Sequence, residues 1–227
     1  MAKTKAKAAK MVKGVIVEFD FTVLKGADLL FETAKSVLKG CGVSLDARLE
    51  ALHLVGGNYQ GAIAELLTKT ESEGDAAALA RDLNEKFNAA VSEKAPGAVN
   101  VGFKNFLNAI LEKDVKVVVA TRGDPDALAA AIGDARVVVY AEPSQTYGSC
   151  KWDAWKRACR MNGLHEMLTT AVTGSGFGVK AALVAGMSAL AVVNDHVEWQ
   201  DFGGADDAVR SLDKKAADIV LRMLKVS

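Results

Sequence analysis

Short apolar runs rich in β-branched residues alternate with helical patterns along the second half of this chain. The runs cover residues 115–120, 136–140, 168–173 and 189–193, and each is followed by apolar residues at helical spacing. A continuous apolar run indicates a strand that is buried on both faces, which is typical of a parallel sheet. The alternation therefore predicts an α/β fold with a doubly wound parallel sheet, in which ligands bind at the carboxyl ends of the strands.

An earlier apolar run at 15–19 predicts the first strand, and a long helical stretch separates it from the others. Apolar residues recur at helical spacing throughout this stretch, and Pro96 with Gly97 marks its end. The chain is therefore predicted to divide into three parts. These are a basic flexible tail at 1–13, an α/β core made of 14–26 and 96–227, and an inserted helical cap at 27–95.

Composition and charge exclude several classes of protein. The chain has 28 basic and 28 acidic residues, so no global charge favours nucleic acid or an anionic membrane as a partner. Its longest apolar stretch, 181–193, is shorter than the roughly 18 residues that a membrane span requires. The basic start has no signal-peptide pattern because Lys13 interrupts its apolar run. We expect a cytoplasmic protein with no membrane span and no nucleic-acid partner.

Two acids, Glu18 and Asp20, come at the carboxyl end of the first predicted strand, in the sequence VIVEFDFTVL. In an extended segment, side chains two residues apart project to the same side. Such a pair suits a nucleophile or metal ligand beside a group that transfers protons. The pattern alone is also typical of solvated acids at a strand end, so its meaning depends on the motifs that accompany it.

Four segments, in this order, resemble the motifs of the haloacid-dehalogenase-like hydrolases. VEFDFTVL resembles the first motif, VKVVVATRG the second, Lys151 the lysine of the third, and VTGSGFGVKAALVAGM the fourth. The helical stretch after the first motif is similar to the cap of the phosphoglycolate phosphatase and β-phosphoglucomutase branch. The similarity covers roughly residues 12–225. It implies a phosphatase-like fold with a phosphoryl site at the strand ends and Mg²⁺ as the cofactor.

The resemblance also implies a role for individual residues. Glu18 falls at the position of the attacking aspartate, and Asp20 at that of the general acid/base, whose backbone carbonyl also binds magnesium in the family. The residues that fall at or beside the phosphate-binding positions are Thr121, Arg122, Gly123, Lys151, Gly174 and Ser175.

The chain departs from the family where phosphoryl chemistry is done. Glu18 is one methylene longer than the aspartate it replaces, and a misplacement of ~1 Å can cost ~100-fold in rate. The family's metal-binding aspartates fall on Gly174 and Gly178. Magnesium in proteins normally keeps one or two carboxylate ligands. The sequence therefore predicts that magnesium binding is weakened or lost, with Glu18 and Asp20 as the remaining candidate ligands.

These departures predict a catalytically impaired member of the family, a pseudoenzyme that still binds phosphate or a small anionic ligand. Three alternatives stay open. The first is an active magnesium-dependent phosphomonoester phosphatase with Glu18 as its nucleophile. The second is a pseudoenzyme whose cap or lysine-rich tail contacts a protein partner. The third is a dinucleotide-binding module, because residues 174–178 form a glycine-rich turn between a strand and a helix, although with GxGxG spacing and not GxGxxG.

Overall fold

The structure, a computed structural model, describes residues 12–141 and 151–226 and contains six strands there. They are β1 (Gly14–Glu18), β2 (Lys116–Thr121), β3 (Val137–Ala141), β4 (Thr169–Thr173), β5 (Ser188–Val192) and β6 (Asp207–Val209). They form one sheet in the order β3-β2-β1-β4-β5-β6, and all five pairings are parallel. The predicted doubly wound parallel sheet is confirmed. The short β6 was not predicted, because its three residues do not form an apolar run.

Helices flank this sheet and fill the long connection between its first two strands. After β1 come a single turn, α1 (Phe19–Thr22), and then α2 (Gly26–Leu38), α3 (Ala47–His53), α4 (Tyr59–Lys69) and α5 (Ala76–Ala98). The remaining helices are α6 (Val101–Leu111), α7 (Pro125–Ile132), α8 (Lys151–Met161), α9 (Gly176–Ala185) and α10 (Lys214–Met223). We call α2 to α5 the helical insert.

The helical insert packs around α5, which contacts both α2 and α4. Its interior contains Leu30, Ile63, Leu83 and Phe87, all fully buried. The sequence predicted that this stretch ends before Pro96, whereas α5 continues through Pro96 to Ala98. A proline removes one helix hydrogen bond. Here that loss falls near the end of a 23-residue helix whose last turns pack against the core, so the helix continues. The division into a core and a separate cap domain stays a prediction.

The two faces of the sheet form separate apolar layers, because successive residues of a strand point to opposite sides. Val15 and Val17 belong to the layer that packs against α6, α10 and the helical insert. Ile16 belongs to the layer that includes Trp155 of α8 and Ala182 of α9. Both faces of β1 are therefore covered, which explains its uninterrupted apolar sequence.

The winding direction of the sheet changes between β1 and β4. From β1 the chain proceeds through β2 to β3 on one side, and from β4 through β5 to β6 on the other. In open parallel sheets this switch point creates a crevice at the carboxyl ends of the two strands. Glu18 ends β1 and Thr173 ends β4, so the fold places both residues at the crevice.

Among the helices of residues 12–141 and 151–226, none has both the length and the apolar character needed to cross a membrane. The cytoplasmic location stays a prediction. Residues 1–11, most of the predicted basic tail, lie outside the described residues.

Candidate functional site

The side chain of Glu18 is buried at the switch point, with 2% of its surface exposed. One of its carboxylate oxygens, Oε2, accepts a hydrogen bond of 2.5 Å from the hydroxyl of Thr173. This contact joins the carboxyl ends of β1 and β4. The cavity beside Glu18 has a volume of about 10 Å³. A space of that size holds about one water molecule.

Asp20 does not lie in an extended segment, so the prediction that it projects to the same side as Glu18 through strand geometry was wrong. The strand ends at Glu18 and the chain enters the helical turn α1 at once. The hydroxyl of Thr22 donates to the carbonyl oxygen of Glu18 at 2.7 Å and stabilises this turn. Serine and threonine side chains compete in this way with extended backbone structure. Glu18 and Asp20 consequently make separate contacts.

The Asp20 carboxylate is held by groups that the sequence assigned to phosphate binding. Its Oδ1 accepts a hydrogen bond from the hydroxyl of Thr121 at 2.7 Å, and its Oδ2 accepts one from the backbone N–H of Arg122 at 2.8 Å. The N–H of Gly123 donates to the Thr121 hydroxyl oxygen at 3.0 Å. We call Asp20, Thr121, Arg122 and Gly123 the Asp20 corner. The structure thus brings these four predicted residues together, and their donors already bind an oxyanion from the chain itself.

The guanidinium of Arg122 connects the Asp20 corner to the helical insert. Arg122 is only 7% exposed, and its Nη1 donates to the hydroxyl of Tyr59 at 2.6 Å. The guanidinium carbon lies 5.4 Å from the ring centre of Tyr59, 5.7 Å from that of Phe87 and 5.9 Å from that of Phe21. Each such cation–π contact contributes about 0.5–2 kcal/mol, depending on its desolvation. Tyr59 and Phe87 belong to the insert, so Arg122 holds the insert against the strand ends.

The positions of the two missing acids are filled by the protein's own atoms. A Cβ atom at Gly174 would overlap the carbonyl oxygen of Phe21, and one at Gly178 would overlap the hydroxyl oxygen of Thr173. A side chain at Gly174 would require the backbone of Phe21 to move, and one at Gly178 would require the side chain of Thr173 to move. Gly174 permits a close approach between α1 and the turn after β4. The fourth predicted motif is thus a packing contact, with no carboxylate at either position.

The N–H groups of this glycine-rich turn are engaged within the protein. Ser175 caps α9 by accepting a hydrogen bond from the N–H of Gly178 at 3.0 Å. The N–H of Gly176 donates to Oε1 of Gln200 at 2.7 Å. The Gln200 amide in turn donates to the carbonyl oxygens of Ala51 and, at 2.9 Å, of Val55. Gln200 therefore links the turn to the insert, and these two N–H groups do not face a pyrophosphate as the dinucleotide alternative requires.

A histidine to which the sequence gave no role bridges two carboxylates of the insert. His196 lies in a helical turn after β5, with Nε2 at 2.8 Å from Oε2 of Glu50 and Nδ1 at 2.9 Å from Oδ1 of Asp28. Hydrogen bonding to Glu50 raises the pKa of His196, and both carboxylates add to the effect. Burial raises the pKa of Glu50, while His196 acts in the opposite direction. Both ring nitrogens donate to carboxylates only when His196 is protonated.

The sequence did not single out four residues that make important contacts at the site. Thr173 could have been found, because a hydroxyl at the carboxyl end of a buried strand beside a glycine-rich turn is a site signal. Tyr59, Gln200 and His196 carried no local signal. Their partners lie 63, 145 and 146 positions away in the sequence. Lys151 begins α8 as the motif order predicted, but its side chain lies outside the described part of the structure.

The residues at the crevice do not fit a magnesium site. Within residues 12–141 and 151–226 there is no group of three His, Cys, Asp or Glu side chains that could hold a metal ion. Magnesium requires near-octahedral oxygen coordination at 2.0–2.1 Å. Glu18 is bonded to Thr173, Asp20 is bonded to Thr121 and Arg122, and Gly174 adjoins backbone. No step of a reaction is therefore assigned to a metal here.

Comparison with solved structures identifies the fold. β-Phosphoglucomutase from Clostridium difficile is similar with a TM-score of 0.73, at 13% identity over 95% of this chain and 98% of that one. CbbY from Rhodobacter sphaeroides, in complex with phosphate, has a TM-score of 0.67 at 18% identity over 95% of this chain and 100% of that one. The chain has the haloacid-dehalogenase-like fold. The fold expected from the four motifs is thus confirmed.

A predicted phosphoglycolate phosphatase from Haemophilus somnus has the same fold, with a TM-score of 0.61 at 16% identity over 93% of this chain and 99% of that one. Protein-family models and curated protein sequences give no match to this chain. At these identities the similarity concerns the fold. The chemistry has to be argued from the chain's own residues.

Proposed function

We propose that this protein is a catalytically impaired member of the phosphatase-like fold. In this proposal the crevice performs no phosphoryl transfer, has no resident magnesium, and retains an anion-binding corner. The observation that carries the proposal is the steric closure at Gly174 and Gly178. Space that metal ligands would need is taken by the carbonyl of Phe21 and the hydroxyl of Thr173.

The electrostatics of phosphoryl transfer support the same conclusion. An anionic nucleophile approaches an anionic phosphate, and a metal ion normally neutralises the charge that develops. Glu18 is buried and bonded to Thr173, beside a cavity of about 10 Å³. Its carboxylate would have to break that bond and meet a phosphate without a cation. We therefore expect no phosphatase turnover attributable to Glu18.

Anion binding, the second part of the proposal, is supported by the Asp20 corner. The Thr121 hydroxyl and the Arg122 N–H hold an oxyanion in the resting structure, although that oxyanion is the Asp20 carboxylate. A phosphate or a small phosphorylated ligand would use the same donors by displacing Asp20. Two of the similar structures, both of CbbY, are described as complexes with phosphate and with xylulose-(1,5)-bisphosphate. Wild-type protein should therefore bind phosphate only at millimolar concentrations.

A hydrolysis assay tests the first part. Wild-type protein and the Glu18→Gln variant are incubated with 4-nitrophenyl phosphate and saturating Mg²⁺. We expect the two proteins to release nitrophenol at the same background rate. Turnover by the wild type that disappears in Glu18→Gln would establish the alternative, an active phosphatase with Glu18 as its nucleophile.

A phosphate titration followed by amide chemical shifts tests the second part. Removing the competing carboxylate in Asp20→Ala should tighten phosphate binding by about tenfold, a change of ~1.4 kcal/mol. The matched control is Asp126→Ala, which removes an exposed acid from α7. It changes the net charge equally but leaves the corner intact. Equal tightening in both variants, or no shift at Thr121 and Gly123 in either, would refute anion binding at this corner.

A further inference from the structure

A larger cavity lies near the closed crevice and uses none of its candidate catalytic residues. Its volume is about 400 Å³, and its walls come from the segment that links β1 to the helical insert, the start of α6, and the loop before α10. Small-molecule sites are commonly cavities of about 300–1,000 Å³. The cavity beside Glu18 is about 10 Å³. The cavity near Phe21 and Lys25 therefore has the size of a small-molecule site.

The base of this cavity is apolar. It is formed by Phe21, Phe103, Val192 and Leu212. Their side chains are almost completely buried in the apolar layer that packs against α6, α10 and the helical insert. These residues belong to α1, α6, β5 and the loop before α10, so the base is fixed by the packing of the core. A preformed apolar base suits a compact aromatic or aliphatic group, which gains free energy as it leaves water.

The rim of the cavity carries two cations, Lys25 and Arg210. Among the described residues no ion pair includes Lys25. Arg210 contacts Asp195 at 2.8 Å, but both side chains are largely exposed. An exposed pair of this kind contributes about 0–1 kcal/mol, so Arg210 can exchange Asp195 for a ligand at little cost.

The one acid that lines the cavity, Asp213, and the neutral amide of Asn100 both accept hydrogen bonds from helix N-termini. Asp213 caps α10 by accepting a hydrogen bond from the N–H of Ala216 at 3.0 Å. Asn100 caps α6 in the same way, accepting from the N–H of Phe103 at 2.9 Å. The start of α6 also contributes a positive partial charge from its helix dipole. The residues that line the cavity therefore include two cations, Lys25 and Arg210, and one acid, Asp213.

We propose that this cavity binds a small organic anion with a compact apolar body. The body rests on the base around Phe103 and Leu212, and a single carboxylate, sulfonate or phosphate group faces Lys25 and Arg210. The proposal does not depend on the proposed function, because it involves neither Glu18 nor the Asp20 corner. A ligand there would also contact residues 22–25, the connection between β1 and the insert.

The test uses 3-phenylpropionate as the probe and the uncharged 3-phenylpropanol as its matched analogue, both followed by amide chemical shifts. We expect 3-phenylpropionate to shift the amides of Lys25, Gly102 and Ser211 in the wild type. The alcohol should bind several-fold more weakly. Lys25→Gln should weaken binding of the anion by about fivefold. Ser211→Trp, which places a large side chain at the rim, should abolish binding.

Lys86→Gln is the control for charge, because Lys86 lies on an exposed face of α5, paired with Asp82, and should leave binding unchanged. Three results would overturn the proposal. One is the absence of shifts at these amides with millimolar probe. Another is equal binding of the acid and the alcohol. The third is a set of shifts centred on Phe177 and Trp199, which line a separate groove.

Discussion

The two halves of the crevice differ in how they depart from a phosphatase site. The half around β1 and β2 keeps its polar groups, and the Asp20 corner joins a carboxylate to a hydroxyl and an N–H. The half around β4 has no acids at Gly174 and Gly178, and backbone and hydroxyl atoms pack closely there. The absence of carboxylates at Gly174 and Gly178 therefore does not leave an empty space. Their space became part of the protein's packing, so restoring an acid would require the fold to open.

The closed half should respond most strongly to substitution. Gly174→Ala adds one methyl group that would overlap the carbonyl oxygen of Phe21, and we expect a loss of about 3 kcal/mol in the free energy of unfolding. Denaturant unfolding measures this loss. The control is Gly61→Ala in α4, where nothing lies near the added methyl. That control should be neutral or stabilising by up to about 1 kcal/mol.

The same two variants test whether the half of the crevice around β4 is closely packed. A loss at Gly174 no greater than at Gly61 would mean that the turn after β4 has room for a side chain. The space for metal ligands would then still exist, and the contrast between the halves would disappear.

Substitutions in the half around β1 and β2 should lower the free energy of unfolding by less. The largest loss in this half should come from replacing Arg122. Arg122→Met keeps the apolar stem but removes the bond to Tyr59 and the three ring contacts, which should cost about 2 kcal/mol. Hydrogen exchange in α4 and α5 should increase as the insert loosens. Lys86→Met, at an exposed ion pair, serves as the control and should change stability by less than about 0.5 kcal/mol. Unchanged exchange in both helices would show that Arg122 does not hold the insert.

The contact between His196 and Glu50 should give a smaller effect that depends on pH. The pKa of His196 is raised above its ordinary value of 6.5, so its stabilising contribution is complete below that value and is lost as the pH rises through the raised pKa. The pKa of Glu50 is also raised, which acts in the same direction from its own ordinary value of 4.5 upward. The protein should therefore be more stable at pH 6 than at pH 9.

Thermal unfolding of His196→Gln checks this effect. The variant should be destabilised by about 1 kcal/mol at pH 6, and the difference from the wild type should shrink towards pH 9. The control is His165→Gln, which makes the same replacement at an exposed histidine. A constant difference for His196→Gln across this range would show that its charge does not contribute.

The sequence predicted the fold well, because burial on both faces of a sheet leaves a direct mark on composition. The run 115–120 predicted β2 to within one residue at each end. The structure brings Asp20 of the first motif together with Thr121, Arg122 and Gly123 of the second, and their roles stay predictions. Absent acids at Gly174 and Gly178 were visible, but the contacts that fill their space were not. Those contacts depend on the turn α1, which breaks the strand where an extended segment was predicted.

Long-range contacts explain the rest of what the sequence did not show. His196 and Gln200 have no distinctive neighbours in the sequence, and each acts through an insert residue that lies far away along the chain. A side chain of this kind acquires its role only when two distant elements are packed together. Local pattern and spacing therefore predict the sheet and the order of the motifs, whereas contacts between the insert and the strand ends require the structure.

We propose that the crevice holds no divalent cation, and binding of Mn²⁺ can be followed at individual residues. Bound Mn²⁺ broadens the amide signals of nearby residues, so a titration of the labelled protein reports every site that takes the ion. We expect no selective broadening at Glu18, Thr121 or Gly174 beyond that of exposed surface acids. Selective broadening of these three amides that Glu18→Gln removes would contradict this proposal.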